Sequence, residues 1–479
     1  MKKGFRMLLA AALCAGLFCG GAMAVGGFVE PPVTVQLNGE NLVFTDAKPQ
    51  LTNERTFLPF YAVFNALGAD VRWTEAEPDK VVAVRDGRTL TMNIGSTQVT
   101  VEEDGAVTTF TMDVAPYLDP ATNRTYVPVF FAADALNCDV GWDPYTFTAI
   151  IVDTDALVRE AMAGKRYTWM EKLAEYSGEK TYRNGIWDLE ATGTGKVTLM
   201  GAEMPMTVNA AGIVADNTKM EMDMTMTMDM SRLVALMEMM AQTGGAAAEG
   251  IDMDKVKAMA EDGIRVEMRG DLSTGMAYQR VAGTMTAGAG VDSEIWYSVP
   301  MRSTVDRMGS PVDWLSSNDL QNAILAADYH AMAKAVLTER GLTDSKNSYA
   351  ECREAVENLF TAFSDASFTR NGDTVTTVWA LEGDGVAADI ELKLTVKREK
   401  VSLCTLTTRE KAPSMTTSME VTLTQPGEMT GVLQRDMSPL MTEELTLTVK
   451  RTPGETLPQP QPPAGAVVRP YEGLLPVKQ

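Results

Sequence analysis

The spacing of hydrophobic residues divides the chain into two parts at about residue 153. In the first part, short runs alternate between apolar and polar residues and predict strands, and Asn38-Gly39 between two such runs predicts a hairpin. One helical pattern interrupts these strands. Its apolar positions are Phe60, Val63, Phe64 and Leu67.

The second part combines helices with long strands. Helical spacing predicts helices over 155–176, 231–242, 318–340 and 349–366. Period-two alternation predicts strands over 186–230, 264–299 and 368–449. Helices grouped against a long antiparallel sheet are typical of an α+β fold. The Pro-rich residues 452–479 predict an extended, unpacked and disordered tail.

One stretch of the first part occurs twice. Residues 55–73 read RTFLPFYAVFNALGADVRW, and residues 124–142 read RTYVPVFFAADALNCDVGW. The two copies align with each other without a gap. A repeat of this kind indicates one supersecondary unit used twice, over about 33–101 and 102–153. Gly68, or Asn137 in the second copy, is placed to end the helix. The shared residues with a predicted structural role are Arg55, Pro59, Asp70, Trp73, Arg124, Pro128, Asp139 and Trp142.

Two interpretations compete for the repeated arginines and tryptophans. Each Arg can contact a ligand, but pairing with the aspartate of its own unit, or with backbone carbonyls there, is the favoured role. Each Trp can stack on a sugar, but alternation puts it on the same face as Val71 or Val140, which favours the core. Cys138 takes the place of Ala69 and is predicted to be a small core residue.

The repeat resembles the copper amine oxidase N-terminal-like domain, or stalk domain, of secreted Gram-positive proteins. The segments that carry the resemblance are LNG at 37–39, RTFLP, RTYVP, ALGADVRW, ALNCDVGWD and NIGS at 93–96. The resemblance implies a small fold with strands wrapped around a helix, acting as an appendage. It implies no copper chemistry, because the catalytic domain of that family needs three His ligands and a tyrosine in an Asn-Tyr motif. This chain has one His and no Asn-Tyr pair, so an enzyme is not expected.

The first residues predict the cellular location of the protein. Lys2, Lys3 and Arg6 precede an apolar run and a small-residue site, so residues 1–24 are predicted to be a cleaved secretory signal. Neither cysteine of this segment follows a small residue, which argues against a lipid anchor. No transmembrane anchor is expected after cleavage, and the predicted location is secreted or cell-envelope associated.

Net charge and cysteine count limit the class of partner and the number of disulfides that the chain can have. Loss of the three basic residues of the signal changes the formal charge from −22 to −25, which disfavours nucleic acid as a partner. Three cysteines remain in the mature chain, so no disulfide framework holds the fold. A bridge between Cys352 and Cys404 stays open.

Methionines mark the most unusual segment. In KMEMDMTMTMDM every second residue is Met, which puts six thioethers on one face of a strand. Three interpretations compete: Met as core filler, Met as the lining of a site for an apolar or lipid-like ligand, and Met as ligands of Cu(I). With no His nearby, copper is the least favoured, and no metal or other cofactor is expected. The face comprises Met204, Met206, Met220, Met222, Met224, Met226, Met228 and Met230.

The order of helices and strands over 154–451 resembles the half-barrel of LolA and LppX type lipoprotein carriers, which hold acyl chains in an apolar concavity. The expected architecture is therefore α+β: a duplicated β-α-β stalk domain over 25–153, then a long antiparallel half-barrel sheet packed with helices. The expected function is non-enzymatic binding of an apolar or lipid-like ligand. The alternative is a wall-associated adhesion module in which the stalk repeat binds glycan or peptidoglycan.

Overall fold

The computed structural model describes residues 32–52, 55–103, 106–112, 114–129, 135–178, 185–215, 219–242, 263–271, 276–283, 292–300, 319–383 and 386–470. The predicted signal at 1–24 lies outside these residues. Within them the α+β prediction is confirmed, because small β-rich sheets are followed by a large sheet packed with helices.

The N-terminal domain contains thirteen strands and one helix among its described residues. The strands are β1 Thr34–Leu37, β2 Glu40–Asn41, β3 Gln50–Thr52, β4 Arg55–Pro59, β5 Asp70–Thr74, β6 Glu77–Arg85, β7 Arg88–Asn93, β8 Gln98–Glu103, β9 Ala106–Thr111, β10 Tyr117–Asp119, β11 Arg124–Pro128, β12 Cys138–Asp143 and β13 Thr148–Asp153. The helix is α1 Phe60–Ala66.

These strands form three sheets in which the two copies of the repeat interlock. The sheet orders are β12-β13-β1-β2, β10-β11-β4-β3 and β5-β6-β7-β8-β9. Strand β4 of the first copy pairs antiparallel with β11 of the second, with Leu58 opposite Val127 at the centre. Both copies also contribute to one buried cluster. The predicted units 33–101 and 102–153 therefore share a single core.

Turn chemistry follows the residues that the sequence provides. Asn38 and Gly39 both have positive φ, as the predicted hairpin between β1 and β2 requires. Gly68 and Asn137 have φ values of 76° and 56° at equivalent places in the two copies. Both residues tolerate this left-handed conformation, so they can end a helix.

The second part contributes six further α-helices among the described residues. They are α2 Thr154–Met162, α3 Thr168–Ser177, α4 Ser231–Gln242, α5 Asp319–Leu325, α6 Tyr329–Arg340 and α7 Ser348–Ala362. The single helix predicted over 155–176 is wrong, because Gly164 takes φ 72° and breaks it. The helix predicted over 318–340 is also divided, since Ala327 has positive φ and Asp328 caps a new helix through the amide of Ala331.

One sheet of fourteen strands dominates the second part. Its strands are β14 Ile186–Leu199, β15 Ala202–Ala215, β16 Lys219–Met228, β17 Ile264–Asp271, β18 Met276–Ala282, β19 Ile295–Pro300, β20 Thr369–Asn371, β21 Thr374–Gly383, β22 Val386–Lys397, β23 Lys400–Ala412, β24 Met415–Gln425, β25 Glu428–Met437, β26 Met441–Pro453 and β27 Val467–Pro470. Their order is β20-β21-β22-β23-β24-β25-β26-β14-β15-β16-β17-β18-β19-β27.

The C-terminal segment differs from its prediction. It is extended, but up to Pro470 it is not unpacked, because β27 pairs parallel with β19 at the edge of the sheet. Along its path, Pro458 is buried and the Gln459 amide donates to the Glu221 carboxylate at 2.8 Å. The physical reason is that β19 offers unpaired backbone groups, which even a Pro-rich segment can satisfy where its residues retain N–H groups.

The N-terminal domain contacts the loop between α6 and α7. The Asp143 carboxylate accepts hydrogen bonds from the Ser345 amide at 3.0 Å and the Ser345 hydroxyl at 2.7 Å. Beside it, Gly141 lies so close to Leu342 that a Cβ at Gly141 would stand 1.8 Å from the Leu342 carbonyl oxygen. In the first copy the equivalent of Gly141 is Arg72, which is exposed. The second copy of the repeat therefore forms the junction with the rest of the protein.

Candidate functional site

The Met-rich segment forms strand β16, and its alternation places the thioethers on one face. Across β15, Met206 lies opposite Met228, Val208 opposite Met226, and Ala210 opposite Met224. This register puts apolar side chains of both strands on the same face, because residues directly opposite one another share a face of the sheet. Met230 lies beyond the end of β16, and its carbonyl accepts the first hydrogen bond of α4 from Val234 at 2.9 Å.

The eight predicted residues fall into two groups by exposure. Met204, Met206, Met224 and Met226 are buried, with exposed fractions between 3% and 8%. The other four are half-buried. They are Met220, Met222, Met228 and Met230. One half of the face is therefore packed as a core, and the other half retains accessible thioether surface.

Strands distant in sequence extend this face. Strand β26 returns beside β14, so that Leu445 lies opposite Gly195, while Met268 of β17 lies opposite Met222. Sequence reasoning missed these residues because strand pairing over such distances leaves no local signal. The buried cluster comprises Ala191, Met206, Val208, Met224, Met226, Val266, Leu433, Leu445 and Leu447, with partly buried Met228, Met268 and Met419 against it. We call this cluster, together with the half-buried methionines of β16, the Met face.

Helices cover the apolar side of the sheet unevenly. Helix α3 packs on β23 and β24, and α7 packs on β21, over the large core of the second part. Helix α4 packs on β15. Among the described helices, α3 and α7 therefore cover one end of the sheet, and α4 contacts the strand beside the Met-rich β16.

Two glycines on the apolar side allow neighbouring strands to approach closely. Gly212 lies opposite Met222, and a Cβ at Gly212 would stand 2.6 Å from the Glu221 carbonyl oxygen. At Gly195 a Cβ would stand 2.3 Å from the Glu444 carbonyl oxygen. Because the obstacles are backbone atoms of neighbouring strands, no larger residue fits without moving a strand. Gly212 is therefore the residue that the close approach of β15 and β16 requires opposite Met222.

The opposite side of β16 to β19 is polar and partly covered. Arg269 pairs with Glu221 at 3.3 Å and with Asp223 at 3.2 Å, and its guanidinium lies 5.5 Å from the Trp296 ring centre. Arg280 contacts the same ring and pairs with Glu267. These contacts bury charged groups in pairs and anchor the strands that carry the Met face.

The repeated arginines and aspartates do not pair in the way the sequence suggested. Arg124 donates to Asp46, which lies in the first unit, at 2.5 Å. Asp70 accepts from Arg72 at 2.8 Å, and Asp139 accepts from Thr154 at 2.6 Å. Arg124 also donates to the Asn123 carbonyl of its own unit at 3.1 Å, so of the two partners predicted for it the backbone carbonyl is found, while Asp46 takes the place of Asp139. Arg55 begins β4 at an exposed position, and Pro59 and Pro128 each end a strand.

The two tryptophans have different environments. Trp142 packs against the shared core and meets the Phe147 ring edge to face at 5.9 Å. Trp73 is 55% exposed, and its indole N–H donates to the Pro78 carbonyl at 3.0 Å. The predicted core role is therefore wrong for Trp73. It lies on β5, the edge strand of its sheet, where no further strand packs against it.

Titratable side chains form no metal-binding cluster among the described residues. No group of three or more His, Cys, Asp or Glu side chains lies close enough to hold a metal ion in that part of the chain. His330 Nδ1 lies 2.8 Å from the Asp155 carboxylate and links α6 to α2. The three mature cysteines are unpaired and buried, so Cys352 and Cys404 are not bridged. Burial raises the thiol pKa of Cys138 and Cys404 to about 12 and that of Cys352 to about 11.

Comparison with known proteins identifies the N-terminal domain. The family model of the copper amine oxidase N-terminal domain matches residues 36–151. The match covers the domain that contains both copies of the repeat and stops before α2. We refer to this part as the copper amine oxidase N-terminal-like domain. No curated protein matches the chain.

Solved structures resemble the chain only distantly. The KdgM porin in complex with disordered oligogalacturonate matches with a TM-score of 0.16 and 3% identity, over 54% of this chain and 98% of that one. Neisserial surface protein A matches with a TM-score of 0.13 and 5% identity, over 57% of this chain and 98% of that one. Lipovitellin matches with a TM-score of 0.16 and 9% identity, over 57% of this chain and 26% of the lipovitellin chain. TM-scores this low do not support a shared fold, and we take no function from them. None of the described helices is long and apolar enough to span a membrane.

Proposed function

We propose that the protein is a non-enzymatic, exported cell-envelope protein that binds an apolar or lipid-like ligand on its Met face. In this proposal, the copper amine oxidase N-terminal-like domain holds the sheet domain through the junction at Gly141 and Asp143. The signal at 1–24 directs export, and the mature chain works outside the cell.

The observation that carries the proposal is the partly exposed half of the Met face. Met220, Met222 and Met228 remain half-buried on a face that is otherwise apolar, and the residue opposite Met222 on β15 is Gly212, which has no side chain. Exposed apolar surface of this kind marks sites that contact an apolar partner.

Methionine suits such a ligand better than the β-branched residues usual in strands. Its side chain is unbranched, has three rotatable bonds and carries a polarizable sulfur, so one surface can adapt to chains of different shape. Each methylene that leaves water on this surface contributes about 0.8 kcal/mol. A ligand with a long hydrocarbon chain therefore gains most.

Binding of the neutral apolar dye Nile red tests this proposal. We expect the full mature chain to bind the dye with an increase in fluorescence. We expect Met222→Glu to weaken binding at least tenfold, because it puts a charge on the apolar side. The matched control is Thr225→Glu, which adds the same charge to the same strand on the opposite, exposed face. Equal loss in both variants, or no dye binding by the parent chain, would contradict the proposal.

A second candidate function is adhesion to cell-wall glycan through the N-terminal-like domain. It is favoured by Trp73, whose ring is exposed while its counterpart Trp142 is covered. We expect Trp73→Ala to reduce retention of the full chain on purified wall material. Tyr145→Ala is the control, because Tyr145 is a 93% exposed aromatic residue elsewhere in the same domain. Equal retention of the two variants would exclude a role for Trp73.

A further inference from the structure

A second concave region crosses strands β21 to β26. It is an open groove of about 750 Å³. That volume is within the range of small-ligand sites, roughly 300–1,000 Å³. Its lining is Ala380, Ala387, Ala388, Asp389, Arg409, Glu410, Lys411, Thr416, Thr417, Ser418, Gln434, Arg435, Asp436, Thr442, Glu443 and Glu444.

Most of these residues form two rows that cross the strands in register. The first row has one hydrogen-bonding residue on each of five adjacent strands. It runs Asp389, Arg409, Ser418, Gln434, Glu444. The second row lies two residues further along each strand. It runs Ala387, Lys411, Thr416, Asp436, Thr442. At about 4.8 Å between strands, each row is roughly 19 Å long.

Ion pairs fix the charged members of the first row. Arg409 donates to Asp389 at 2.8 Å and to Glu391 at 2.8 Å. At the other end, Glu444 pairs with Lys196 at 3.4 Å. These planar groups are held in place before any ligand arrives, which lowers the entropy cost of binding.

The charge balance of the groove selects the ligand class. The two rows, which share one face of the sheet, contain three acidic and two basic residues, so neither a polyanion nor a polycation finds a surface of one opposite sign. Hydroxyl, amide, carboxylate and guanidinium groups together supply both donors and acceptors. Sugar hydroxyls are donors and acceptors at once, and the spacing between strands is close to the length of one hexopyranose unit. The small alanines at one end leave apolar surface for a ring face.

We infer that this groove binds an uncharged oligosaccharide chain laid across strands β22 to β26. Each strand presents a hydrogen-bonding side chain to a successive sugar ring. The site does not involve the methionines of the Met face. On the strands that the two sites share, Ser418, Gln434 and Glu444 alternate with Met419, Leu433 and Leu445 and therefore lie on the opposite face of the sheet.

Isothermal titration of the full mature chain tests the inference with two neutral probes, chitohexaose and maltohexaose. Heparin hexasaccharide and hexalysine serve as charged comparators. We expect at least one neutral probe to bind with Kd below about 1 mM, corresponding to about −4 kcal/mol. We expect the double variant Ser418→Ala with Gln434→Ala to bind it at least tenfold more weakly. The matched control is Thr225→Ala with Thr227→Ala, on the polar side of β16 outside the groove, and circular dichroism verifies folding of both.

Three results would overturn the inference. The first is failure of both neutral probes to bind, and the second is binding that Ser418→Ala with Gln434→Ala leaves unchanged. The third is tighter binding of a charged comparator than of either neutral probe. Trp73→Ala separates this site from the N-terminal-like domain, because it must leave the affinity unchanged if the sugar occupies the groove.

Discussion

Replacing Gly141 by alanine should loosen the junction between the N-terminal-like domain and the sheet domain. The new methyl group would lie 1.8 Å from the Leu342 carbonyl oxygen and 2.2 Å from the Leu342 Cβ. Ordinary contacts between heavy atoms are about 3.5–4.0 Å. The loop that carries Leu342 must therefore move, since a backbone carbonyl cannot be displaced by a change of rotamer.

The expected cost follows from two contributions. Overpacking at a well-packed site costs about 1–3 kcal/mol. Movement of the loop also breaks the hydrogen bonds from Ser345 to the Asp143 carboxylate, and bonds to a charged group contribute about 1.5–3 kcal/mol. Together these give a loss of roughly 3–6 kcal/mol from the junction. The loss falls on the contact between the domains, which also includes Ile150 and Val152 of β13, buried in the large cluster of the second part.

Differential scanning calorimetry of the mature chain measures this effect. We expect Gly141→Ala to lower the unfolding temperature, because the strained junction stabilises the folded chain less. Arg72→Ala is the control, because Arg72 is the exposed counterpart of Gly141 in the first copy and its loss should change stability by less than about 0.5 kcal/mol. A thermogram of Gly141→Ala that superimposes on that of the parent chain would refute the described junction.

Three further predictions follow from buried polar groups. Hydrogen bonds from Thr146, and then from Ser345, lower the pKa of Asp143, so the stabilising contribution of its carboxylate is complete above about pH 4 and is lost as the pH falls below that value. Asp143→Asn should therefore flatten the acid limb of a curve of Tm against pH. An unchanged acid limb would contradict this prediction. Tyr167→Phe should raise stability or leave it unchanged, because the Tyr167 hydroxyl is buried and has no partner among the described residues. Tyr126→Phe should cost about 1 kcal/mol in urea unfolding, since it removes a hydrogen bond to the Lys48 carbonyl. A larger loss of stability from Tyr167→Phe than from Tyr126→Phe would refute these hydrogen-bond assignments. Burial and raised pKa values should leave Cys352 and Cys404 unreactive to Ellman's reagent until the chain unfolds, whereas rapid reaction of the native chain would show that the helical core is open.

Local signals in the sequence predicted local structure well. Asn38-Gly39 forms the predicted hairpin turn, and Gly68 takes the left-handed conformation expected after a helix. The alternation of Met220 to Met228 placed these residues on one face, because the side-chain period of a strand is two and needs no tertiary information.

Long-range pairing could not be predicted in the same way. Nothing near Leu445 indicates that β26 lies beside β14, and nothing near Arg124 indicates that its partner is Asp46. Trp73 and Trp142 occupy equivalent places in the repeat, yet their exposure differs because Trp73 lies on an edge strand while Trp142 packs against Phe147 and the shared core. The helix breaks at Gly164 and Asp328 were missed for a different reason, since apolar periodicity continues across both.

Native mass spectrometry of the mature chain, purified from the cells that produce it, tests the central proposal most directly. The proposal predicts a population carrying an apolar molecule that organic extraction releases and that the Met222→Glu variant lacks. The Thr225→Glu variant should retain it. A parent chain that shows only its own mass, and takes up no lipid when mixed with extracted membranes, would contradict the proposal and leave the Met face as core packing alone.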